Sequence, residues 1–321
     1  MGRYLARRLG FALLLVFVVS SSALLLTRLA PGDFVAGQGL DLDAASREHM
    51  RVDLGLDLPL GQQYVRWLGG VLRFDFGTSL LYSRPVSAIV AERAVNTAVL
   101  AAIALLLATL IGVPLGIYSG TRSGLGRSIV RTLSIVGLSV PPLVGSLALV
   151  FLAARTGWFP VGGMTSSTGI DLSLTAWMAD LARHLPLPAL ALAIPLAASL
   201  ERLQSEAIST MAREPFVAAS RARGADRARS ILHHAWPASL RPVLGFYGVM
   251  IGSLFSGSFI VEVVTSWPGL GRLMFDALKA RDLFLVAGCA ATGALFLAAG
   301  TLLADVILAW TDPRVRTGER A

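Results

Sequence analysis

Six long runs of apolar residues, separated by polar segments, form the dominant pattern in this chain of 321 residues. About 20 apolar residues, each rising roughly 1.5 Å along a helix, are needed to cross the hydrocarbon core of a bilayer. The runs that approach or exceed this length are 9–27, 94–121, 132–154, 184–200, 242–261 and 283–304. The pattern therefore predicts an all-α polytopic membrane protein with six transmembrane helices.

Proline predicts where two of these helices bend or end. Pro114 lies in the second run, and Pro141 and Pro142 lie in the third. A proline inside a helix removes one backbone hydrogen bond and clashes with the preceding turn. We expect these prolines to kink or bound the second and third transmembrane helices. The first run exceeds the apolar length of a secretory signal, so we expect it to be retained as a helix.

The distribution of arginine predicts the orientation of the helices. The formal net charge is +8, and an excess of basic residues marks the cytoplasmic segments of membrane proteins, so no nucleic-acid partner is needed to explain it. The arginine-rich segments are the two termini, the 122–131 connection and the polar segment 201–241, whereas 30–93, 155–183 and 262–282 are neutral or acidic. Both termini and segment 201–241 are predicted to face the cytoplasm, and the neutral or acidic segments to face outwards.

The residue types argue against an ion-coupled carrier, an intramembrane serine protease, a P-loop ATPase and a cysteine-based metal cluster. An ion-coupled carrier needs ionisable side chains at mid-membrane, but Glu262, Asp305 and His184 lie only at the ends of runs. An intramembrane serine protease needs a histidine near its serine, and no histidine lies in the middle of a run. The single lysine, Lys279, is not preceded by the glycines of a P-loop, and the single cysteine, Cys289, excludes a cysteine cluster. We expect no catalytic residue, cofactor or metal ion in this chain.

Segment 201–241 carries the candidate functional surface. Its beginning is predicted to continue the fourth transmembrane helix, and Pro215 to restart a short helix. Phe216, Ala219, Ser220 and Arg223 then fall on one helical face at positions i, i+3, i+4 and i+7. One aromatic side chain followed by small residues suits close docking of a soluble protein. The alternative is an amphipathic loop lying on anionic lipid.

Three further residues define the shape predicted for this segment. Gly224 allows a sharp turn because glycine tolerates a positive φ. Asp226 is predicted to cap a second short helix, which Pro237 and Pro242 then end. In the following run, Gly248 and Gly252 are four residues apart, which allows another helix to approach closely; we expect a helix of the same chain, and a subunit interface is the alternative.

The segment resembles the cytoplasmic coupling loop of ABC importer permeases. In the general pattern, Glu-Ala-Ala precedes a glycine by three residues; here Ala218, Ala219 and Ser220 stand in those positions before Gly224. The absent glutamate, and His234-Ala235 with Pro242 at the close, resemble the dipeptide, oligopeptide and nickel branch. Further blocks that resemble this branch are 28–33, 54–59, 63–68, 74–79, 84–86, 266–272, 281–282 and 312–314.

The resemblance implies a type I importer permease of the bacterial inner membrane, which hydrolyses nothing itself. It implies two cytoplasmic ABC ATPases, a second homologous permease that is usually a different chain, an extracytoplasmic solute-binding protein and membrane lipid as partners. The residues it places at the ATPase contact are Phe216, Ala219, Ser220, Arg223, Gly224, Asp226 and Pro237.

The expected organisation has three parts: a first helix and outer segment over 1–93, a five-helix core with the coupling loop over 94–312, and a tail over 313–321. The expected substrate is a dipeptide or oligopeptide. Nickel chelates, glutathione and oligosaccharides remain alternatives within the branch, and an ion-coupled carrier is the alternative outside it.

Overall fold

The computed structural model describes residues 2–30, 32, 34–37, 44–53, 55–71, 73, 75–166 and 173–311. The predicted tail, 313–321, the whole block at 312–314 and some residues of the blocks at 28–33, 54–59 and 74–79 lie outside this part of the chain. The helices are α1 Gly2–Leu29, α2 Phe34–Gly37, α3 Ala44–Asp53, α4 Leu60–Val71, α5 Val86–Thr121, α6 Leu125–Ser139, α7 Pro142–Thr156, α8 Leu174–His184, α9 Pro186–Met211, α10 Pro215–Ala222, α11 Arg227–Ser230, α12 Trp236–Val264, α13 Leu270–Ala280 and α14 Leu283–Thr311, with a π-helical turn at Ile231–Ala235. No strand occurs among the described residues, so the predicted all-α class is confirmed there.

The described helices provide between four and six candidate membrane spans. Four are single helices of sufficient length and hydropathy: Arg7–Leu29, Val86–Thr121, Pro186–Met211 and Leu283–Leu303. Two more arise if each bent pair is counted as one span, namely α6 with α7 and the two parts of the 227–264 helical stretch. The six predicted helices are therefore the upper end of the range.

Proline has opposite consequences at two of the predicted positions. Helix α6 ends at Ser139, and α7 begins at Pro142 after a bend of 105°. Pro141 is extended, with φ −60° and ψ 146°, because the ring of Pro142 disfavours the helical conformation of the preceding residue. The predicted break is thus confirmed. Pro114 instead lies inside the continuous helix α5, so it does not bound that span.

The chain divides into two compact units. The first unit comprises residues 1–98 and 268–298, and the second comprises 99–267 and 299–321. In the first unit, the buried carboxylate of Asp282 accepts hydrogen bonds from Ser79 Oγ at 2.6 Å and from the Leu81 amide at 3.0 Å. It also accepts from the Leu285 amide at 3.1 Å, which caps the beginning of α14.

Helix α9 forms the centre of the second unit, where it packs against α6, α7 and α12. It also packs against α5 through Gly112, Gly116 and Gly120. A Cβ atom at these glycines would lie 2.5 Å from the carbonyl oxygen of Ala197, 2.7 Å from Gln204 Cβ and 2.5 Å from the carbonyl oxygen of Ser205, respectively. Because glycine has no side chain, the backbones of α5 and α9 come together along this stripe.

Candidate coupling surface

The candidate coupling surface lies on the short helices between α9 and α12. Helix α9 continues to Met211, as the sequence predicted, so residues 201–211 are part of a long helix. Residues 212–235 form the remainder, with α10, α11 and the π-helical turn. Pro215 is in the first turn of α10, where its missing N–H group leaves no intrahelical bond unmade. The predicted helix restart at this proline is confirmed.

Helix α10 presents one face to its surroundings and packs the other against its own unit. Phe216 is 44% exposed, and Ala219 and Arg223 are also exposed. Val217 is buried in a cluster with Ile208 and Ala235. The exposed face therefore combines an aromatic ring, a small residue and a guanidinium group, whereas the apolar contacts of Val217 hold the helix against the end of α9.

Ser220 corrects the predicted surface. Its side chain is buried, and its hydroxyl lies 3.3 Å from the hydroxyl of Ser230, within hydrogen-bonding distance. The prediction placed Ser220 on the same face as Phe216, but the side chain points into the unit. The physical reason is that Ser220 lies at the edge of the helical face formed by Phe216 and Ala219. Because α11 packs against that edge, the Ser220 side chain is covered. Ser220 therefore joins α10 to α11 and does not contribute to the exposed face.

The predicted turn at Gly224 is confirmed. Its φ is 94°, and no atom lies within 4 Å of the position that a Cβ would occupy, so backbone conformation alone selects glycine. The cap at Asp226 is also confirmed, because its Oδ1 atom accepts a hydrogen bond from the Arg229 amide at 2.6 Å. Both residues are exposed.

Pro237 and Pro242 do not end the second short helix, contrary to the prediction. The chain stays helical from α11 through the π-helical turn into α12. Exposed Pro237 occupies the first turn of α12, and Pro242 lies inside that helix. In a π-helical turn, the backbone hydrogen bonds span five residues where an α-helix spans four. The turn therefore accommodates one extra residue without ending the helix.

Polar contacts join α11 to the end of α5 and link the long helices beside it. Arg227 Nη2 donates a hydrogen bond to the carbonyl oxygen of Thr121, the last residue of α5, at 2.6 Å. Ser119 donates one from its hydroxyl to Glu201 Oε1. Gln204 Nε2 donates one to Ser239 Oγ at 2.8 Å, which joins α9 to the first turn of α12. These contacts join α11 to the end of α5, α5 to α9 and α9 to α12.

Sequence reasoning did not find this polar layer. Glu201 and Gln204 are buried, although the sequence placed both in a polar segment. The signal that could have indicated them is their spacing of three residues in helix α9, on one side of the helix, facing the glycine stripe of α5. Gly248 and Gly252 lie half-buried on α12, and their predicted packing role stays a prediction.

The chain matches the family model described as binding-protein-dependent transport system inner membrane component over residues 112–317. The model of the N-terminal part of these membrane components matches residues 1–101. The first match alone covers more than half of the chain. The chain belongs to this family of transport permeases. It is accordingly a membrane permease subunit of an ABC transport system and not an enzyme.

Similar proteins match the permease over nearly its whole length. The oligopeptide transport system permease protein AppB of Bacillus subtilis is 31% identical over 98% of this chain and 99% of its own. The oligopeptide transport system permease protein OppB of Mycobacterium bovis is 32% identical over 98% of this chain and 99% of its own length. The probable peptide ABC transporter permease protein y4tP of Sinorhizobium fredii is 32% identical over 98% of this chain and 100% of its own length.

Proposed function

We propose that this permease forms the translocation pathway of an ATP-driven importer of dipeptides or oligopeptides in the bacterial inner membrane. The observation that carries the proposal is the similarity, along nearly the full length, to permeases named for peptide and oligopeptide transport. The six-span topology with cytoplasmic termini belongs to this proposal, as does the division into 1–93, 94–312 and 313–321.

In the proposed mechanism, two ABC ATPases bind below the membrane, and one of them grips the exposed face of α10. Phe216 fills a pocket on that ATPase, Ala219 allows close approach, and Arg223 binds an acidic or carbonyl group at the rim. Gly224 and Asp226 set the direction of the chain after the contact. Pro237 lies in the first turn of α12, the helix through which movement continues.

Transmission of movement follows from the contacts of residues 212–235, the coupling segment. When ATP binding closes the ATPases, α10 moves with them. The Val217 packing and the Arg227–Thr121 hydrogen bond carry that movement to α9 and α5, and the Gln204–Ser239 hydrogen bond carries it between α9 and α12. Closely packed helices move together as a rigid body. A displacement of their cytoplasmic ends would therefore open or close the translocation pathway.

A second permease and a solute-binding protein complete the proposed assembly. The second permease is a homologous, different chain, and the binding protein docks on the outer side and supplies substrate selectivity. The few ionisable residues in the apolar runs support this division, because a pathway without fixed charges holds peptides weakly.

The test is to purify the tagged permease from its native membrane in mild detergent and identify its partners by mass. We expect ABC ATPases, a second permease and a binding protein that retains peptides. Phe216→Asp should abolish recovery of the ATPases, because it places a charge in the pocket. Leu174→Asp is the matched control, since Leu174 is an exposed apolar residue of α8. Equal ATPase recovery with both variants would contradict the coupling assignment.

A further inference from the structure

Five arginines surround a cavity beside α10, within the second unit. The cavity has a volume of about 300 Å³ and is lined by Arg122, Arg127, Arg213, Arg221 and Arg227, together with three serine residues. No carboxylate is among its described lining residues. Like charges that converge without an opposite charge repel one another, so an anion in the cavity would lower the energy of the arrangement.

The arginines come from separate parts of the chain. Arg122 follows α5 and Arg127 is on α6, whereas the other three belong to the coupling segment. Arg127 Nε is buried and has no hydrogen-bond partner among the described residues. Among the residues that the structure describes, none of the five arginines forms an ion pair with a carboxylate. The cavity therefore offers several guanidinium donors to an anion.

An apolar groove continues from this cavity. A second cavity of about 640 Å³ shares Arg122 and Arg227 with the first and extends along α5 past Ile117 and Pro114. Leu232, which is 46% exposed, forms the other side. Helix α5 is one of the candidate membrane spans, so the groove leads from the arginines towards the apolar part of the molecule.

We propose that the two cavities together bind one anionic phospholipid. Its phosphate lies among the arginines, which suit phosphate because the planar guanidinium donates two parallel hydrogen bonds. One acyl chain lies in the groove along α5. An inorganic phosphate ion would not need the apolar groove, and an acidic protein side chain would not fill it, so the combination favours a lipid over either.

The lipid would also affect coupling, because three of the five arginines are on the segment that carries α10. Phosphate bound between them and Arg122 or Arg127 would hold this segment against the end of α5. We therefore expect the stimulation of the partner ATPases to increase with the fraction of anionic lipid in the membrane. This regulation goes beyond the transport role and applies whichever solute is carried.

Lipid binding to the purified full-length chain in mild detergent tests the proposal. Native mass spectrometry would measure retention of phosphatidylglycerol, with phosphatidylcholine and free glycerol 3-phosphate as comparisons. Arg122→Gln combined with Arg127→Gln should weaken phosphatidylglycerol binding about tenfold or more, because two of the phosphate contacts are lost. Arg131→Gln combined with Arg241→Gln is the matched control: it removes the same charge, and both residues lie outside the cavities.

A variant of the groove separates lipid from other anions. Leu232→Asn, which makes the groove polar without adding a charge, should weaken phosphatidylglycerol binding but leave glycerol 3-phosphate binding unchanged. Equal loss of phosphatidylglycerol in the two double variants would overturn the site. Binding of glycerol 3-phosphate as tight as that of the lipid would assign the cavity to a free anion. Loss of ATPase binding by the Arg122 and Arg127 variant, with unchanged lipid retention, would show that the arginines contact the partner protein.

Discussion

The hydroxyl of Ser119 donates a hydrogen bond to the carboxylate of Glu201, and both side chains are buried. This contact joins α5 to α9 beside the coupling segment. Glu201 Oε2 has no hydrogen-bond partner among the described residues. A buried carboxylate with one free oxygen is costly to maintain, which makes the contact sensitive to any change of either residue.

Glu201→Ala should reduce the thermal stability of the purified permease. The change leaves the buried Ser119 hydroxyl without its carboxylate acceptor, a loss of about 1–3 kcal/mol. Glu201→Gln is the control, because its amide oxygen can still accept the Ser119 hydrogen bond. Thermal unfolding in detergent measures both. Equal destabilisation by the two variants would show that the charge of Glu201, and not the hydrogen bond, is what the bundle requires.

Gly116→Ala should separate α5 from α9. The new methyl group would lie 2.7 Å from Gln204 Cβ and 2.8 Å from the carbonyl oxygen of Glu201, so the helices must move apart. Overpacking of this kind costs about 1–3 kcal/mol. Gly245→Ala is the matched control, because a Cβ at that helical glycine meets no atom within 4 Å. The melting temperature should fall only for the first variant, and a similar fall for both would argue against close packing at Gly116.

Gly224→Ala should impair coupling more than it impairs folding. With φ at 94°, an alanine there is strained by about 1–2 kcal/mol, although there is space for its side chain. Gly124, with φ at 96° and equally open surroundings, provides a control with a similarly positive φ outside the coupling segment. Both variants should reach the membrane, but transport and ATPase stimulation should fall for Gly224→Ala alone. Normal transport by this variant would remove Gly224 from the coupling assignment.

Cysteine accessibility tests the proposed orientation. Thr175 in α8 and His233 in the π-helical turn are both exposed, whereas the native Cys289 is buried. In intact cells, Thr175→Cys should react with an impermeant thiol reagent, and His233→Cys should react only after permeabilisation. The reverse pattern would place segment 201–241 on the outer side and contradict the cytoplasmic orientation.

Acid should release the contact between Asp180 and Ser166. The pKa of Asp180 is lowered from its ordinary value of 3.8, chiefly because the Ser166 amide donates a hydrogen bond to the carboxylate at 2.6 Å. A lowered pKa means that the stabilising contact is complete above about pH 4 and is lost as the pH falls through the folded-state pKa. Hydrogen exchange of the Ser166 amide, corrected for the pH dependence of the intrinsic exchange rate, should therefore accelerate as the pH falls below about 4. Asp180→Asn should remove the pH dependence; if the dependence persisted, another group would be responsible.

Features that depend on neighbouring residues in the chain could be predicted from the amino-acid sequence. The apolar runs located the long helices, Pro141 and Pro142 located the break after α6, and Gly224 and Asp226 located the turn and the cap. Each of these follows from backbone geometry or from one local hydrogen bond, so no knowledge of the rest of the fold was needed.

Which helix faces meet depends on how the helices pack, and the amino-acid pattern did not predict it. Ser220 is buried because α11 packs beside it, and Glu201 is buried because the glycine stripe of α5 brings Ser119 to it. The cavity of five arginines combines residues about 100 positions apart, such as Arg122 and Arg221. Hydrophobic periodicity fixes the apolar side of a helix, but it does not identify the helix that will cover that side. Burial, polar pairing and the anion cavity all depend on that choice of neighbour.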